Sequence, residues 1–249
     1  VGNITDTLKI EIINDGNIEI DETIEITLSN PSVVSLGTNT IHTVTINDND
    51  FDGYTGPAGV GDNTNNLLWL RADDLSSLND NDPVSSWVDT SGNNNNASQA
   101  VSTNQPSYQT NMINGKPAVN FDDGDDYYRS VFEIPGQNMT ILTVFNLTAA
   151  TDGPVWQPDM VNASGFFPRY TNNIQYLNYG GGWLQKGSEF NTGTWYIGTA
   201  VFGTGSTKLF QNTDSIHYIA SNTITIDSFQ IGARLSNNEY FGGDIAEMI

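Results

Sequence analysis

Carboxylates are the chain's main chemical resource. Asp15, Glu19, Asp21 and Glu22 lie just ahead of an alternating run, and Asp48 and Asp50 close another. Oxygen-only groups of this kind suit calcium, which takes six to eight hard ligands, and they also suit a merely solvated acidic loop. A denser group, Asp122, Asp123, Asp125 and Asp126, surrounds Gly124. Carboxylates so close repel one another unless a cation or solvent screens them, so this is either a second calcium site or an exposed turn between Phe121 and Tyr127.

Aromatic rings are the second resource. Trp156, Tyr170, Tyr176, Tyr179 and Trp183 lie in stretches rich in glycine, proline and asparagine, such as Gly153-Pro154-Val155-Trp156-Gln157-Pro158 and Tyr176-Leu177-Asn178-Tyr179-Gly180-Gly181-Gly182-Trp183. Loops run over the surface, so these rings are expected to be available to stack on sugar faces, with Asn178, Gln185 and Lys186 bonding hydroxyls. The alternative is that Trp156 and Trp183 only cap the edge of a sandwich. Trp69, Trp87 and Trp195 sit in alternating patterns and are expected to fill the core.

Tests for catalysis return little. The glucanase pattern Glu-x-Asp-x-x-Glu is absent, and its nearest approach, Glu19-Ile20-Asp21, has Ile24 in the last place. Glu247 is isolated, because strict alternation puts Asp244, three residues away, on the opposite face of a strand. The two histidines, His42 and His217, read as sheet positions, cysteine is absent, and no nucleophile elbow, phosphate loop or zinc pair occurs. The residues alone therefore predict a binding or structural protein with no catalytic residue; a stalk without ligand and a glycoside hydrolase are the alternatives.

Several short elements must hold these groups. Thr23 to Leu28, Thr40 to Ile46, Leu67 to Leu70, Ala118 to Phe121, Thr140 to Phe145, Trp195 to Val201 and Gly243 to Ile249 alternate with period two, separated by Asn/Gly/Asp/Ser turns. The expectation is an all-β chain, nearly free of helix. Asp89-Thr90-Ser91-Gly92-Asn93 reads as a tight turn whose side chains bond backbone amides, and Asn114-Gly115 as a hairpin. A formal charge of −21 opposes nucleic acid and anionic lipid, and no apolar run reaches membrane-helix length. Composition changes across 51–66, where glycines separate an acidic, Ile/Thr-rich part from one that holds all 5 tryptophans. Residues 51–66 are expected to lie ordered against the sandwich, with Phe51, Tyr54 and Val60 packed.

The string Asp15-Gly16-Asn17-Ile18-Glu19-Ile20-Asp21-Glu22, followed by Thr23 to Pro31 and then Val44-Thr45-Ile46-Asn47-Asp48-Asn49-Asp50, resembles the C-terminal half of a Calx-beta domain. That resemblance implies an immunoglobulin-like sandwich, partial over residues 1–50, with calcium ligands Asp15, Glu19, Glu22, Asp48 and Asp50. From Gly56 onward, Leu67-Leu68-Trp69-Leu70-Arg71-Ala72-Asp73, Val84 to Asn93, Ile113 to Asp122 and Gly242-Gly243-Asp244-Ile245-Ala246-Glu247 are similar to LamG-like, concanavalin A-like jelly-roll domains of large secreted Bacteroidetes adhesins exported by type IX secretion. The resemblance implies a Calx-beta half (1–50), a linker (51–66) and a C-terminally truncated LamG-like domain (67–249). It implies a fragment of a secreted or cell-surface adhesin, with glycans or neighbouring domains of the same protein as partners.

Overall fold

The computed structural model describes residues 7–10, 22–46, 56–61, 64–133, 138–150, 152–158, 165–170, 174–179, 182–186, 190–203, 206–218, 228–234 and 239–249. The chain divides into two units, Val1–Thr55 and Gly56–Ile249. In the first, β1 (Glu22–Thr27) and β2 (Ile41–Ile46) pair antiparallel, Ile24 opposite Val44 and Ile26 opposite His42. No described residue of this unit is buried, as expected of two strands that pair only with each other among the described residues.

The second unit begins its strands with β3 (Leu70–Arg71), β4 (Ser86–Trp87), β5 (Ala97–Ser98), β6 (Ser107–Ile113), β7 (Lys116–Asp122) and β8 (Tyr128–Ser130). It continues with β9 (Met139–Leu147), β10 (Trp156–Pro158), β11 (Gly165–Tyr170), β12 (Ile174–Tyr179), β13 (Gly182–Lys186) and β14 (Trp195–Gly203). The last are β15 (Ser206–Gln211), β16 (Asp214–Tyr218), β17 (Phe229–Ile231) and β18 (Gly242–Met248). Their hydrogen bonds make two antiparallel sheets. The back sheet runs β13-β12-β11-β10-β17-β8-β5-β4, and the front sheet runs β16-β15-β14-β9-β18-β7-β6 with β3 also on β18. Among the described residues the only helical pieces are three short 3₁₀ turns.

Period-two alternation decides what lies between the sheets. Phe121, Phe145 and Ile245 of the front sheet and Tyr128, Trp156, Phe166, Phe229 and Ile231 of the back sheet belong to one buried cluster. Phe145 meets Phe166 edge-on across the layer with centroids 5.6 Å apart, and Trp156 stacks on Phe229 at 5.5 Å. Burying each such ring contributes roughly 1.5–3 kcal/mol. The same alternation sorts the three tryptophans expected to fill the core. Leu68 and Leu70 face the inter-sheet cluster, so Trp69 between them lies outside it yet is buried (7% exposed) on the other face; Tyr196 turns the half-buried Trp195 the same way. Trp87 is fully buried as expected.

Two turns form as their side chains dictate. Asn114 and Gly115 take φ of 50° and 78° and let Ile113 pair with Lys116, the left-handed pair that a two-residue hairpin requires. The buried Asp89 carboxylate accepts from the backbone N–H of Trp69 (2.8 Å), Ser91 (2.9 Å) and Asn95 (2.8 Å) and from the Ser91 hydroxyl (2.8 Å). Thr90 donates back to the Trp69 carbonyl through its N–H (2.9 Å) and its hydroxyl (3.0 Å). Trp69 is thus held on both sides of its backbone by one turn. Of the segment 51–66, Phe51 and Tyr54 lie outside the described residues, and Val60 is 72% exposed, so Val60 is not the packing residue expected.

Candidate functional site

Strand β18 departs from strict alternation at one point. Ile245 pairs with Phe145 of β9, but Glu247 pairs with Val144, so Ala246 is an extra residue with no partner of its own on β9. A bulge of this type resets the parity of a strand and re-aims the side chain after it. Asp244 pairs with Asn146 and Glu247 with Val144, two positions of β9 on one face. Asp244 and Glu247 therefore share the outer face of the front sheet, and the expectation that they lie on opposite faces is corrected.

The two carboxylates have different surroundings. Asp244 is fully buried and accepts from the amides of Asn120 (2.7 Å) and Asn146 (3.1 Å), its cross-strand neighbours on β7 and β9. Burial raises its pKa above 3.8, and the two amide donors oppose that rise. Having no exposed surface, Asp244 organises the face and does not itself meet a ligand. Glu247 is half-buried and accepts from the Trp69 indole N–H at 2.7 Å. The Arg71 guanidinium lies over the Trp69 ring at 4.4 Å and bonds Asp74 through two nitrogens at 2.9 and 2.7 Å.

These residues open onto a cavity of about 300 Å³. Trp69, Arg71, Asp73, Lys116 and Glu247 form its polar side, with Lys116 paired to Asp73 at 2.9 Å. Ile113, Pro117, Val144 and Ala246 form its apolar side. Two carboxylates facing one small cavity with an apolar wall are a set that can protonate a leaving oxygen and activate a water. A larger cavity of about 820 Å³, beside Val60, Phe132, Met139 and Leu142, has no ionisable side chain among the described residues of its walls.

A second group lies at the end of β7. Carboxylate oxygens of Asp122, Asp125 and Asp126 come within 4.8 Å of one another. Asp122 accepts from the Gly124 N–H (2.8 Å), and buried Asp126 accepts from the Asp122 N–H (3.0 Å). Burial, opposed by that backbone bond and reinforced by the charges of Asp122 and Asp125, pushes Asp126 from 3.8 up to about 6. Three hard oxygens with an excess of negative charge can coordinate a metal ion. The turn is not simply exposed, since Asp126 is 6% exposed.

The residues singled out from sequence fare as follows. Glu22 lies on β1 and is exposed, whereas Asp15, Glu19, Asp48 and Asp50 lie outside the described residues. Trp156 is 1% exposed, inside the core on β10, and cannot stack on a sugar; its proline and glycine neighbours flank a short strand and not a surface loop. Tyr170 lies on β11, Tyr176 and Tyr179 on β12 and Trp183 on β13, again strand positions where loops were expected. Trp69, Asp73 and Lys116 were missed as site residues. The available signal was the parity of Leu68-Trp69-Leu70, which turns the indole outward.

No protein-family profile and no curated protein matches the chain. Solved structures do. Domain 4 of AbnA, a GH43 extracellular arabinanase from Geobacillus stearothermophilus in complex with arabinotriose, is similar with a TM-score of 0.56 and 13% identity, over 73% of this chain and 89% of that one. A Trypanosoma rangeli sialidase in complex with sialic acid follows at 0.53 and 13%, over 79% of this chain and 32% of that one. A GH54 α-L-arabinofuranosidase is similar at 0.51 and 14%, over 67% and 46%. The chain thus spans less than half of the last two proteins. At these identities the likeness establishes a β-sandwich fold shared with carbohydrate-related proteins, and it is not specific to a Calx-beta and LamG-like pair.

These findings correct the expectation of a non-catalytic adhesin fragment and the exclusion of an enzyme. Parts of carbohydrate-active enzymes recur among the structures that share this fold, and an acidic triad, Asp122, Asp125 and Asp126, is present. The exclusion rests on a missing glucanase pattern, on the absence of nucleophile, phosphate-loop and zinc motifs and on strict alternation in β18, and the bulge removes the last of these grounds.

Proposed function

We propose that the second unit is a carbohydrate-active domain that cleaves a glycosidic bond at the cavity between Trp69, Asp73 and Glu247. One observation carries the reading: the bulge in β18 turns Glu247 onto the outer face beside Asp244 and into an open cavity that Asp73 also lines. Glu247 delivers a proton to the glycosidic oxygen as the C–O bond breaks. Asp73 takes a proton from the water that adds to the sugar carbon, so the products are two saccharides, one with a new reducing end. The fold shared with domain 4 of an arabinanase, a sialidase and an arabinofuranosidase supports a saccharide as the substrate.

The finer identity is part of the proposal. The ordered motifs of residues 67–249 support a LamG-like sandwich, and those of residues 1–50 support half a Calx-beta domain joined through 51–66. Both resemblances support a secreted or cell-surface location, and the Calx-beta one supports calcium at the carboxylates of residues 1–50; the all-oxygen donor set of Asp122, Asp125 and Asp126 suits the same ion. No helix among the described residues is long and apolar enough to cross a membrane.

The test is release of reducing ends from a panel of soluble polysaccharides by the full chain and by Glu247→Gln. Release by the native chain that falls at least about a hundredfold in the variant, the scale of lost acid–base catalysis, is the expected result. Binding with no release from any member of the panel would overturn the assignment.

A further inference from the structure

Resting on that reading, we infer that the cavity selects a saccharide free of acidic groups and rejects uronates and sialylated sugars. The observation is the way its cations are used. Only 8 basic residues stand against 29 acidic ones in the chain, and two of them, Arg71 and Lys116, line this one cavity. Two cations at a sugar site would ordinarily point to a carboxylate-bearing ligand. Here both are already engaged. Arg71 gives Nε and one terminal nitrogen to Asp74 in a two-bond fork and lays its plane on Trp69. Lys116 is held by Asp73 at 2.9 Å.

The remaining ionisable group is Glu247, whose partner is the neutral indole N–H of Trp69. Asp73 and Asp74 balance the two cations, so the cavity has no net positive charge while Glu247 holds the proton it delivers and is negative once that proton is gone, inside a protein of formal charge −21. An acidic sugar entering it gives up water around its carboxylate and meets no cation that is not already paired, which disfavours it against an uncharged one. An uncharged sugar meets the opposite situation. Its C–H faces fit Ile113, Pro117 and Val144, and its hydroxyls donate to the oxygens of Asp73 and Glu247.

The test compares the rate of reducing-end release from uncharged oligosaccharides (arabino-, xylo-, manno- and gluco-oligomers) with that from oligogalacturonates, and sialic acid release from sialyl-lactose, at low and high salt. The expected result is a preference of at least about tenfold for an uncharged substrate, shrinking as salt screens the cavity. Asp74→Asn supplies the second arm: Asp74 does not line the cavity, and its loss frees the Arg71 fork. Its expected effect is to narrow the preference at least about threefold, with the melting temperature showing that the fold is kept. Equal or faster cleavage of an acidic substrate by the native chain overturns this selectivity and leaves the hydrolytic reading standing. Cleavage of neither class overturns both.

Discussion

Replacing Asp89 with alanine exposes how the turn at 89–93 holds the site. Asp89 accepts three backbone N–H bonds, from Trp69, Ser91 and Asn95, and one from the Ser91 hydroxyl, and it is 6% exposed. Each hydrogen bond to a charged acceptor contributes about 1.5–3 kcal/mol, and a donor left buried costs about 1–3 kcal/mol. The Ser91 hydroxyl can rotate to another acceptor and water can reach some of the rest, so the sum is discounted by roughly half. A loss of about 4 kcal/mol remains, or about 8–16 °C in melting temperature for a unit of this size. Asp89→Asn keeps one acceptor oxygen but turns an NH₂ toward the Asn95 N–H or the Trp69 N–H, and about half that loss is expected. Because the same turn fixes the Trp69 backbone, whose indole bonds Glu247, Asp89→Asn should also weaken turnover more than it weakens the fold at 25 °C. Urea unfolding followed by tryptophan fluorescence reads the stability. A change under about 1 kcal/mol for Asp89→Ala would refute the reasoning, since it would mean that the amides were never dependent on this carboxylate.

Two further outcomes are expected. Trp156→Ala, which removes a ring stacked on Phe229 in the core, should cost about 3–5 kcal/mol, whereas Trp195→Ala, on the outer face, should cost clearly less; equal losses in thermal melts would contradict the reversed assignment of these tryptophans. In chelator, Asp126 should make stability fall as pH rises: its folded pKa of about 6 lies above the ordinary 3.8, so the proton is held more tightly in the fold. That contribution is full below about pH 4 and is lost as pH rises through about 6, by up to about 2–3 kcal/mol. Asp126→Asn should flatten the profile and abolish any stabilisation by added calcium, and a pH profile identical to the native one would remove the basis for a strained carboxylate there.

How far the sequence could be read depends on which signals are local. The hairpin at Asn114-Gly115 and the Asp89 turn are encoded by side chains that act on their own neighbourhood, and both form as read. The long alternating strands β7, β9, β14 and β18 were legible for the same reason. The polar strands β6 (Ser107–Ile113) and β12 (Ile174–Tyr179) were not, because their pairing comes from neighbours far along the chain and not from apolar alternation. The tryptophans were misread where composition was weighed above parity: glycine and proline around Trp156 flank a buried strand, while Leu68 and Leu70 turn Trp69 out. The bulge that brings Glu247 to the face of Asp244 leaves no mark in the string Asp244-Ile245-Ala246-Glu247, since an unpaired alanine becomes visible only once β9 lies alongside.

The measurement that tests the central claim most directly is a crystal structure of the full chain carrying Glu247→Gln, soaked with the oligosaccharide that the native chain cleaves fastest. A saccharide is expected in the cavity beside Trp69, with a glycosidic oxygen within about 3 Å of the residue 247 side chain, the hydrogen-bond reach that proton transfer needs. A saccharide bound on another face, with this cavity empty, would contradict it.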